Sequence, residues 1–212
     1  LIERQQACGG DGHDVGHDAG RDREPASRLT RNIYTWHHPR MIAIGTSKGG
    51  YLVDDRLRMQ QAGLFPGWKV TAWSELGDRG MIAAVASNWF GASLQRSSDG
   101  IDWEPIPDGP TYSSGRELNQ IWTVVGAGDR LYAGVDVAGL FVSDDGGLSF
   151  DRLDQDLQVP ADIVSPDINL SFPQVNRIIV DPDDPTHLYV AIRNHALYES
   201  TDSGTTWGPA TG

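Results

Sequence analysis

The stretch "SDDGGLSF" at residues 143–150 recurs as "STDSGTTW" at residues 200–207. Both copies place serine, aspartate, glycine, a hydroxyl residue and an aromatic ring at matching positions. The longer segments that contain them, residues 131–150 and 188–207, align without a gap at an offset of 57 residues. Self-similarity at a fixed period is typical of propellers and solenoids. The chain is therefore predicted to consist of repeated structural units.

Two further copies precede these. "MIAAVASNWFGASLQRSSDGIDW" fits if its middle loop carries three extra residues and its final turn is one residue shorter, and "MIAIGTSKGGYLVDD" keeps two strands but lacks the turn signature. The unit starts, Ile42, Ile82, Leu131 and Leu188, lie 40, 49 and 57 residues apart. Short β-branched and aromatic runs between Gly, Asp and Pro predict strands. The fold class is therefore all-β, a β-propeller of four-stranded antiparallel blades.

The domain boundaries follow from this periodicity. Residues 1–40 lack strand or helix periodicity and are predicted to be a disordered or non-native leader. Blades occupy residues 41–212, in units near 41–64, 69–107, 118–154 and 175–212. The first unit has only a weak first strand in "RNIYTWH", and the last ends where its fourth strand would begin. About three and a half blades are predicted, so we expect a larger propeller that continues beyond Gly212.

The composition argues against several classes of partner. The formal net charge is -12, and after residue 40 there are 23 acidic and 11 basic side chains. Nucleic acid and anionic membranes require a basic surface, so neither is predicted as a partner. No apolar run is long enough to cross a membrane and no secretory leader is visible, which favours a cytoplasmic location.

Metal and cofactor sites are not predicted either. The single cysteine, Cys8, excludes an internal disulfide and a cysteine-based metal cluster. His13 and His17 have a spacing that could bind a metal on a helix, but the surrounding stretch is rich in glycine and has no helical pattern.

The repeated turn carries a family resemblance. Ser-x-Asp-x-Gly-x-Ser/Thr-Trp/Phe resembles the Asp-box, or BNR repeat, of sialidase-like and glycosyl hydrolase-like β-propellers. The matching residues in this chain are Ser143, Asp145, Gly147, Ser149, Phe150, Ser200, Asp202, Gly204, Thr206 and Trp207, with a shortened match at Ser97, Asp99 and Trp103. The resemblance covers roughly residues 41–207, and it implies a propeller fold and a carbohydrate-active protein.

The repeated aspartate has a structural and a chemical interpretation. An aspartate in a tight turn accepts hydrogen bonds from following amides, while glycine supplies positive φ, so the octapeptide would hold the third strand to the fourth. The alternative is catalysis or calcium binding by Asp144 and Asp145. A catalytic group need not recur in every blade, and the position of Asp144 is Ser98 or Thr201 in the other copies. We therefore favour the structural interpretation.

Ligand binding is predicted at the opposite end of the blades. In an up-and-down sheet, first-to-second turns and Asp-box turns share one end, whereas the more variable second-to-third and blade-to-blade loops share the other. Those loops offer Phe65 as a stacking surface together with these ligand-binding candidates: Trp68, Lys69, Asn88, Trp89, Phe90, Tyr112, Arg116, Asp136, Arg193 and His195. Trp89 ranks first because it lies in the loop insertion. Exposed aromatic rings beside polar groups suit a sugar or a protein partner.

Two functions remain open. The first is a sialidase-like glycoside hydrolase, for which Glu75, Glu117 and Asp136 are the available acids, although nothing in the sequence pairs them. The resemblance to sialidases also implies an arginine cluster that begins with an Arg-Ile-Pro motif, and this chain has none. The second is a non-catalytic propeller that binds a glycan or a protein partner, as Asp-box assembly factors do.

Overall fold

The computed structural model describes residues 41–113, 115, 118–153, 157, 173–193 and 195–211. The described residues all belong to one compact unit, Trp36–Gly212. The predicted leader at residues 1–40, the candidates Arg116 and Glu117, and most of the segment between residues 154 and 172 lie outside the described residues.

Four antiparallel sheets follow one another along the chain, and in each the strands pair in sequence order. Blade 1 has three described strands and blades 2 to 4 have four each. Blade 1 contains β1 (Met41–Thr46), β2 (Gly49–Asp54) and β3 (Met59–Leu64), and blade 2 contains β4 (Lys69–Glu75), β5 (Met81–Ser87), β6 (Gly91–Ser97) and β7 (Glu104–Pro105). Blade 3 contains β8 (Gln120–Ala127), β9 (Arg130–Asp136), β10 (Gly139–Ser143) and β11 (Asp151–Arg152), and blade 4 contains β12 (Val175–Val180), β13 (Leu188–Ile192), β14 (Leu197–Ser200) and β15 (Gly208–Pro209). The all-β prediction of four-stranded antiparallel blades is confirmed.

The core lies between successive blades, because alternate residues of each strand face opposite sides of a sheet. On β9, Leu131, Ala133 and Val135 belong to the cluster that joins blade 3 to blade 2. Tyr132, between them in sequence, belongs to the cluster that joins blade 3 to blade 4. Both sides of this sheet are buried, so β9 is apolar at nearly every position. Burial of one large side chain contributes roughly 1.5–3 kcal/mol, so these two clusters hold the blades together.

Blades 1 and 2 meet at an aromatic cluster. Phe65 and Trp73 both lie against Trp103, with ring centroids 5.2 and 5.5 Å apart and edge-on geometry. A Cβ atom on Gly50 would lie 2.7 Å from the Trp73 ring, so only glycine permits this approach. Phe65 was expected to be an exposed stacking surface. That expectation is wrong, because its ring is half-buried in this cluster.

In blade 3 the repeated octapeptide is held by one aspartate. Asp145 Oδ1 accepts hydrogen bonds from the amides of Leu148 and Ser149 at 2.9 and 3.0 Å, and from Ser143 Oγ at 2.7 Å. Asp145 Oδ2 accepts a further bond from Ser149 Oγ at 2.6 Å. Ser143 Oγ also accepts from the amide of Gly147, whose φ is +89°. We name residues 97–103, 143–150 and 200–207 the staple turns, since these bonds join the end of β10 to the start of β11.

Blade 4 repeats the arrangement. Asp202 accepts from the amide of Thr206 at 2.8 Å, from its hydroxyl at 2.7 Å and from Ser200 Oγ at 2.8 Å. The amide and hydroxyl of Thr206 lower the pKa of Asp202 to about 2. In blade 2, the amides of Ile101 and Asp102 lower the pKa of Asp99 in the same way. Each carboxylate is therefore stabilised in its charged form by its own turn.

In blade 1, different residues stabilise the corresponding turn, which again centres on an aspartate. Asp54 Oδ1 accepts from the amides of Arg56 and Arg58 at 3.0 and 2.8 Å, and Oδ2 accepts from Gln60 Nε2 at 3.0 Å. Arg58 completes the network through an ion pair at 2.7 Å. The first unit lacks the sequence signature, yet an aspartate still joins β2 to β3.

The staple turns also contact the preceding blade. Tyr132 Oη on β9 donates to the carbonyl of Ser203 in the staple turn of blade 4 at 3.0 Å, and Arg130 Nη1 donates to the same oxygen at 3.3 Å. In blade 3, a Cβ atom on Gly147 would lie 3.3 Å from Ile82 of blade 2. A staple turn therefore organises its own blade and supports the contact between blades.

We predict that Asp145→Ala lowers the free energy of unfolding by about 1–2 kcal/mol at pH 7, because the turn loses its amide acceptor. The carboxyl pKa is depressed in the folded protein, so this contribution is complete above the unfolded pKa of about 4 and declines as pH falls below it. Urea unfolding of both proteins at pH 7 and pH 3 measures the difference.

Asp144→Ala is the matched control. Asp144 forms an exposed ion pair with Arg130 at 2.7 Å, so its removal should change stability by less than about 1 kcal/mol. Equal losses for the two substitutions would contradict the structural role of Asp145.

Candidate functional site

The blades present two different ends. The staple end carries the staple turns and the β4–β5, β8–β9 and β12–β13 turns. The loop end carries the β5–β6, β9–β10 and β13–β14 loops and the segments that lead into β4, β8 and β12. This division follows from the meander, since consecutive turns leave a sheet at alternate ends.

A row of polar side chains crosses three blades at the loop end. Lys69, Gln120 and Gln174 each immediately precede a buried aliphatic residue at the start of the first strand in their blade. Lys69 Nζ donates to Gln120 Oε1 at 3.1 Å, which joins blade 2 to blade 3. Gln174 Nε2 donates to Asp136 Oδ2 at 3.0 Å, which joins blade 3 to blade 4. We name Lys69, Gln120, Asp136, Gln174 and Arg193 the polar row.

The middle residues of the polar row are buried, and the residues at its two ends are exposed. Gln120, Asp136 and Gln174 are 7%, 9% and 4% exposed, whereas Lys69 and Arg193 are exposed. The Arg193 amide donates to the Gln174 carbonyl at 2.9 Å, and Arg193 Nη1 donates to Gln174 Oε1 at 3.4 Å. Two cationic groups thus reach solvent from a row that is fixed by buried hydrogen bonds.

Sequence reasoning identified three members of this row and missed two. Lys69, Asp136 and Arg193 were candidates, whereas Gln120 and Gln174 were not. The signal that could have found them is their equivalence with Lys69 in the repeat, because equivalent positions of successive blades lie side by side.

The β5–β6 hairpin is longer than its counterpart in blade 3. Seven residue pairs join β5 to β6, whereas five join β9 to β10. The extra residues, expected in the loop, instead lengthen the paired region of the hairpin by two residue pairs, or about 7 Å. The tip is compact, since Ser87 Oγ accepts from the Phe90 amide at 2.9 Å and Gly91 has a φ of +70°.

This hairpin presents an aromatic patch. Trp89 is 90% exposed and Phe90 is 77% exposed, and Asn88 beside them is also exposed. The half-buried ring of Trp68 stacks on Phe90 with centroids 5.8 Å apart and planes 17° apart. Trp68, Trp89 and Phe90 form the aromatic patch, at the same end as Lys69.

Tyr112 does not join this patch. It was predicted to offer an exposed ring, but it is 7% exposed and lies edge-on to Phe141 at 5.6 Å. Its hydroxyl donates to the carbonyl of Val137. The prediction is wrong because the segment that contains Tyr112 packs into the interface between blades 2 and 3.

His195 is held by its own blade. It is half-buried, and its Nε2 lies 2.9 Å from the hydroxyl of Tyr198. It occupies the β13–β14 loop, two residues from Arg193, as the repeat predicts.

The catalytic candidates are not brought together. Glu75 ends β4 at the staple end, whereas Asp136 ends β9 at the loop end and is buried. Glu117 lies outside the described residues. Within the described part of the chain, no group of three or more His, Cys, Asp or Glu residues could hold a metal ion. No helix there has the length and apolar character needed to span a membrane.

A second polar cluster lies at the staple end of blade 4. His187 Nε2 is 2.7 Å from Glu199 Oε1, which also accepts from the hydroxyl of Tyr189 at 3.0 Å. The hydrogen bond from His187, followed by that from Tyr189, lowers the pKa of Glu199. The same Tyr189–Glu199 bond raises the pKa of the Tyr189 hydroxyl. Sequence reasoning did not single out these residues.

Comparison with solved structures identifies the fold. The chain is similar to the GH74 xyloglucanase from Xanthomonas campestris, with a TM-score of 0.58 and 16% identity over 80% of this chain and 27% of that enzyme. This chain has a β-propeller fold. It spans about a quarter of the length of that xyloglucanase.

Two weaker likenesses have TM-scores below 0.5. YCF48 from Cyanidioschyzon merolae gives a TM-score of 0.42 and 16% identity over 67% of this chain and 37% of that one. An ancestral GH74 enzyme gives 0.47 and 15% identity over 81% of this chain and 22% of that one. No family model and no curated protein sequence matches the chain.

We predict that two aromatic substitutions at these loops differ strongly in their effect on stability. Tyr112→Ala should lower the free energy of unfolding by about 3 kcal/mol, because it leaves a cavity between blades 2 and 3. Trp89→Ala should change it by less than about 0.5 kcal/mol, because the ring makes little contact with the fold. Urea unfolding measures both, and a larger loss for Trp89→Ala would contradict the assignment of exposed and buried rings.

Proposed function

We propose that this propeller segment binds a carbohydrate at its loop end, with the aromatic patch as the stacking surface and the polar row as its hydrogen-bonding neighbour. The observation that carries the proposal is the exposure of Trp89 and Phe90 at the tip of a hairpin that extends beyond its counterpart. Large aromatic side chains are normally mostly buried, so two adjacent exposed rings on an ordered tip indicate a binding surface.

The chemistry of the patch suits a sugar. The C–H face of a pyranose packs on an aromatic ring, and its hydroxyl groups need polar partners around the edge. Phe90 is already oriented by its stacking on Trp68, so little side-chain entropy is lost when a ligand binds. The Lys69 ammonium and the exposed Asn88 amide supply donors at the same end.

We also propose that the staple turns are Asp-box (BNR) repeats of the sialidase-like kind. Support comes from the shared network in which aspartate binds the amide and hydroxyl of the residue four positions later, as in Asp145–Ser149 and Asp202–Thr206. Under this proposal the turns define the fold, while the ligand binds at the other end of the blades.

Binding is favoured over hydrolysis by the acids available in the described residues. Glycoside hydrolysis uses two carboxyl groups about 5–10 Å apart on either side of the bond that breaks. Glu75 and Asp136 lie at opposite ends of adjacent blades, and a strand of seven residues spans about 20 Å. The likeness to a xyloglucanase bears on fold alone at 16% identity. Hydrolysis would require carboxylates other than this pair.

A protein ligand is the second candidate. Exposed Trp and Phe beside a cationic group are also typical of residues that contribute most to protein–protein affinity. The same patch would then contact an aromatic or acidic surface of the partner.

The test is a titration of soluble oligosaccharides, followed by tryptophan fluorescence, on the wild-type protein and two variants. We expect Trp89→Ala and Phe90→Ala each to weaken sugar binding by about tenfold or more, since one stacked ring contributes on the order of 1–2 kcal/mol. Leu148→Ala is the control, because Leu148 is 53% exposed on a staple turn. Sugar binding that survives both aromatic substitutions would contradict the site.

The Asp136→Asn variant separates binding from catalysis. When both are incubated with chromogenic glycosides, the wild-type protein should hydrolyse them no faster than Asp136→Asn. Turnover lost in Asp136→Asn, with the fold retained, would show an enzyme and refute the binding-module proposal.

A further inference from the structure

Exposed cationic side chains are distributed across the loop end. Lys69 and Arg193 are exposed at the two ends of the polar row, and Lys48 is exposed on the β1–β2 turn. That turn also lies at the loop end, since the β2–β3 turn of blade 1 takes the place of a staple turn. The carbonyl of Lys48 accepts from the Gly67 amide at 3.1 Å, which places it beside the segment that leads into β4.

The acidic side chains are concentrated at the opposite end of the blades. Within the described residues, the exposed aspartates of the staple end are Asp55, Asp78, Asp99, Asp102, Asp129, Asp144, Asp145, Asp183, Asp184 and Asp202. The carboxylates of the described loop-end segments are Asp136, which is buried, and Asp108, whose carbonyl accepts from the Phe150 amide beside the fourth strand of blade 3. A protein with a net charge of -12 therefore has a cationic surface along its polar row, and such a surface attracts anionic ligands.

Gln120 supplies a hydrogen-bond donor beside this cationic surface. It is 7% exposed, and its Oε1 accepts from Lys69 Nζ at 3.1 Å. Among the described residues, no acceptor binds the buried Nε2 of the same amide. A buried donor without an acceptor is costly, and a charge-assisted bond to an anion would satisfy it. The Lys69 stem is flexible, so a small displacement of its ammonium opens the Gln120 amide to a ligand oxygen.

This pair of donors adjoins the aromatic patch. Trp68 immediately precedes Lys69, and its ring stacks on Phe90 with centroids 5.8 Å apart. Lys69 is paired with Ala86 across β4 and β5, one residue before the last residue of β5. A sugar ring stacked on the patch therefore places its substituents beside the Lys69 ammonium.

From Lys69 the polar row continues across blade 3 to blade 4. Gln120 and Asp136 are directly paired on β8 and β9, and Gln174 contacts both Asp136 and Arg193. Facing sheets pack about 10 Å apart, so Lys69 and Arg193, on blades 2 and 4, are separated by roughly 20 Å. One sugar cannot contact both cations, whereas a chain of several sugars can.

We propose that the ligand is an acidic polysaccharide, a chain of uronate sugars that lies along the polar row. One ring stacks on the aromatic patch, Lys69 Nζ and Gln120 Nε2 bind one carboxylate, and Arg193 binds the carboxylate of a sugar further along the chain. This inference rests on the proposed function, which is carbohydrate binding at the loop end. The chemistry fits because a carboxylate accepts from two donors at once, and the Arg193 guanidinium presents paired N–H groups.

The test compares charged and neutral sugar chains of equal length, by calorimetric titration of the full 212-residue chain. The probes are hexamers of galacturonate and of mannuronate, each with its carboxyl-reduced neutral counterpart. At low salt we expect one of the uronate hexamers to bind about tenfold more tightly than its counterpart, because its carboxylates gain charge-assisted hydrogen bonds. The preference should shrink as salt screens the charges. The dimer of the same uronate should bind more weakly than the hexamer, since it reaches one cation only.

Single substitutions assign this preference to the polar row. Lys69→Gln and Arg193→Gln should each reduce it by about fivefold, because each removes a charged donor, whereas Lys69→Arg should keep it. Gln120→Glu should abolish the preference and leave neutral binding unchanged, because the new carboxylate keeps the contact with Lys69 and repels the ligand. Arg56→Gln is the matched control, since Arg56 is exposed at the staple end and its loss changes the net charge equally.

Equal affinity for charged and neutral hexamers would overturn this inference and leave the carbohydrate proposal intact. Binding of neither kind of hexamer, nor of any other oligosaccharide, would refute the proposed function itself. A uronate preference that survives in Gln120→Glu and in Lys69→Gln would show that the anion binds elsewhere. A preference that Arg56→Gln reduces equally would show an effect of overall charge, and equal affinity for dimer and hexamer would exclude an extended chain; each result would overturn the inference.

Discussion

One carboxylate that accepts hydrogen bonds from its own turn is the interaction on which the blades depend. Asp99, Asp145 and Asp202 each bind backbone amides at the corner where the third strand becomes the fourth. Without that acceptor, the corner would present amides with no partner, and the two-residue fourth strands have little pairing of their own to hold them. Blade 1 shows that the physical requirement is an acceptor rather than a motif, because Asp54 meets it with a different set of neighbours.

The staple turns also connect successive blades. Tyr132 on one blade binds the staple turn of the next, so the bond that closes a blade also positions its neighbour. At the other end, the polar row performs a similar task through side chains, with Gln174 in contact with both Asp136 and Arg193. The staple end is thus specified by local hydrogen bonds, and the loop end by contacts between blades. Variation is tolerated at the loop end, where the longer β5–β6 hairpin carries the aromatic patch.

The balance between local and distant contacts explains what could be predicted from sequence. The strands of blades 3 and 4 were predictable because blade 4 repeats the apolar pattern that burial on both sides imposes on blade 3. Exposure of Trp89 was predictable from its place in an insertion. Burial of Tyr112 was not, because it depends on Val137, 25 residues away. Gln120 and Gln174 were missed for the same reason, since their partners lie in other blades, 51 and 38 residues away in sequence. The Asp54 turn was missed because its partners, Arg58 and Gln60, are not typical turn residues.

The central claim is that the repeated carboxylate turns hold the fold while a ligand binds at the opposite end of the blades. Hydrogen exchange with and without a bound oligosaccharide tests this division directly, because it reports protection residue by residue. The account predicts added protection at residues 87–91 and at the starts of β4 and β8, with the staple turns unchanged. Added protection confined to residues 143–150 and 200–207 would contradict it, and would show that the repeated aspartates belong to the ligand site.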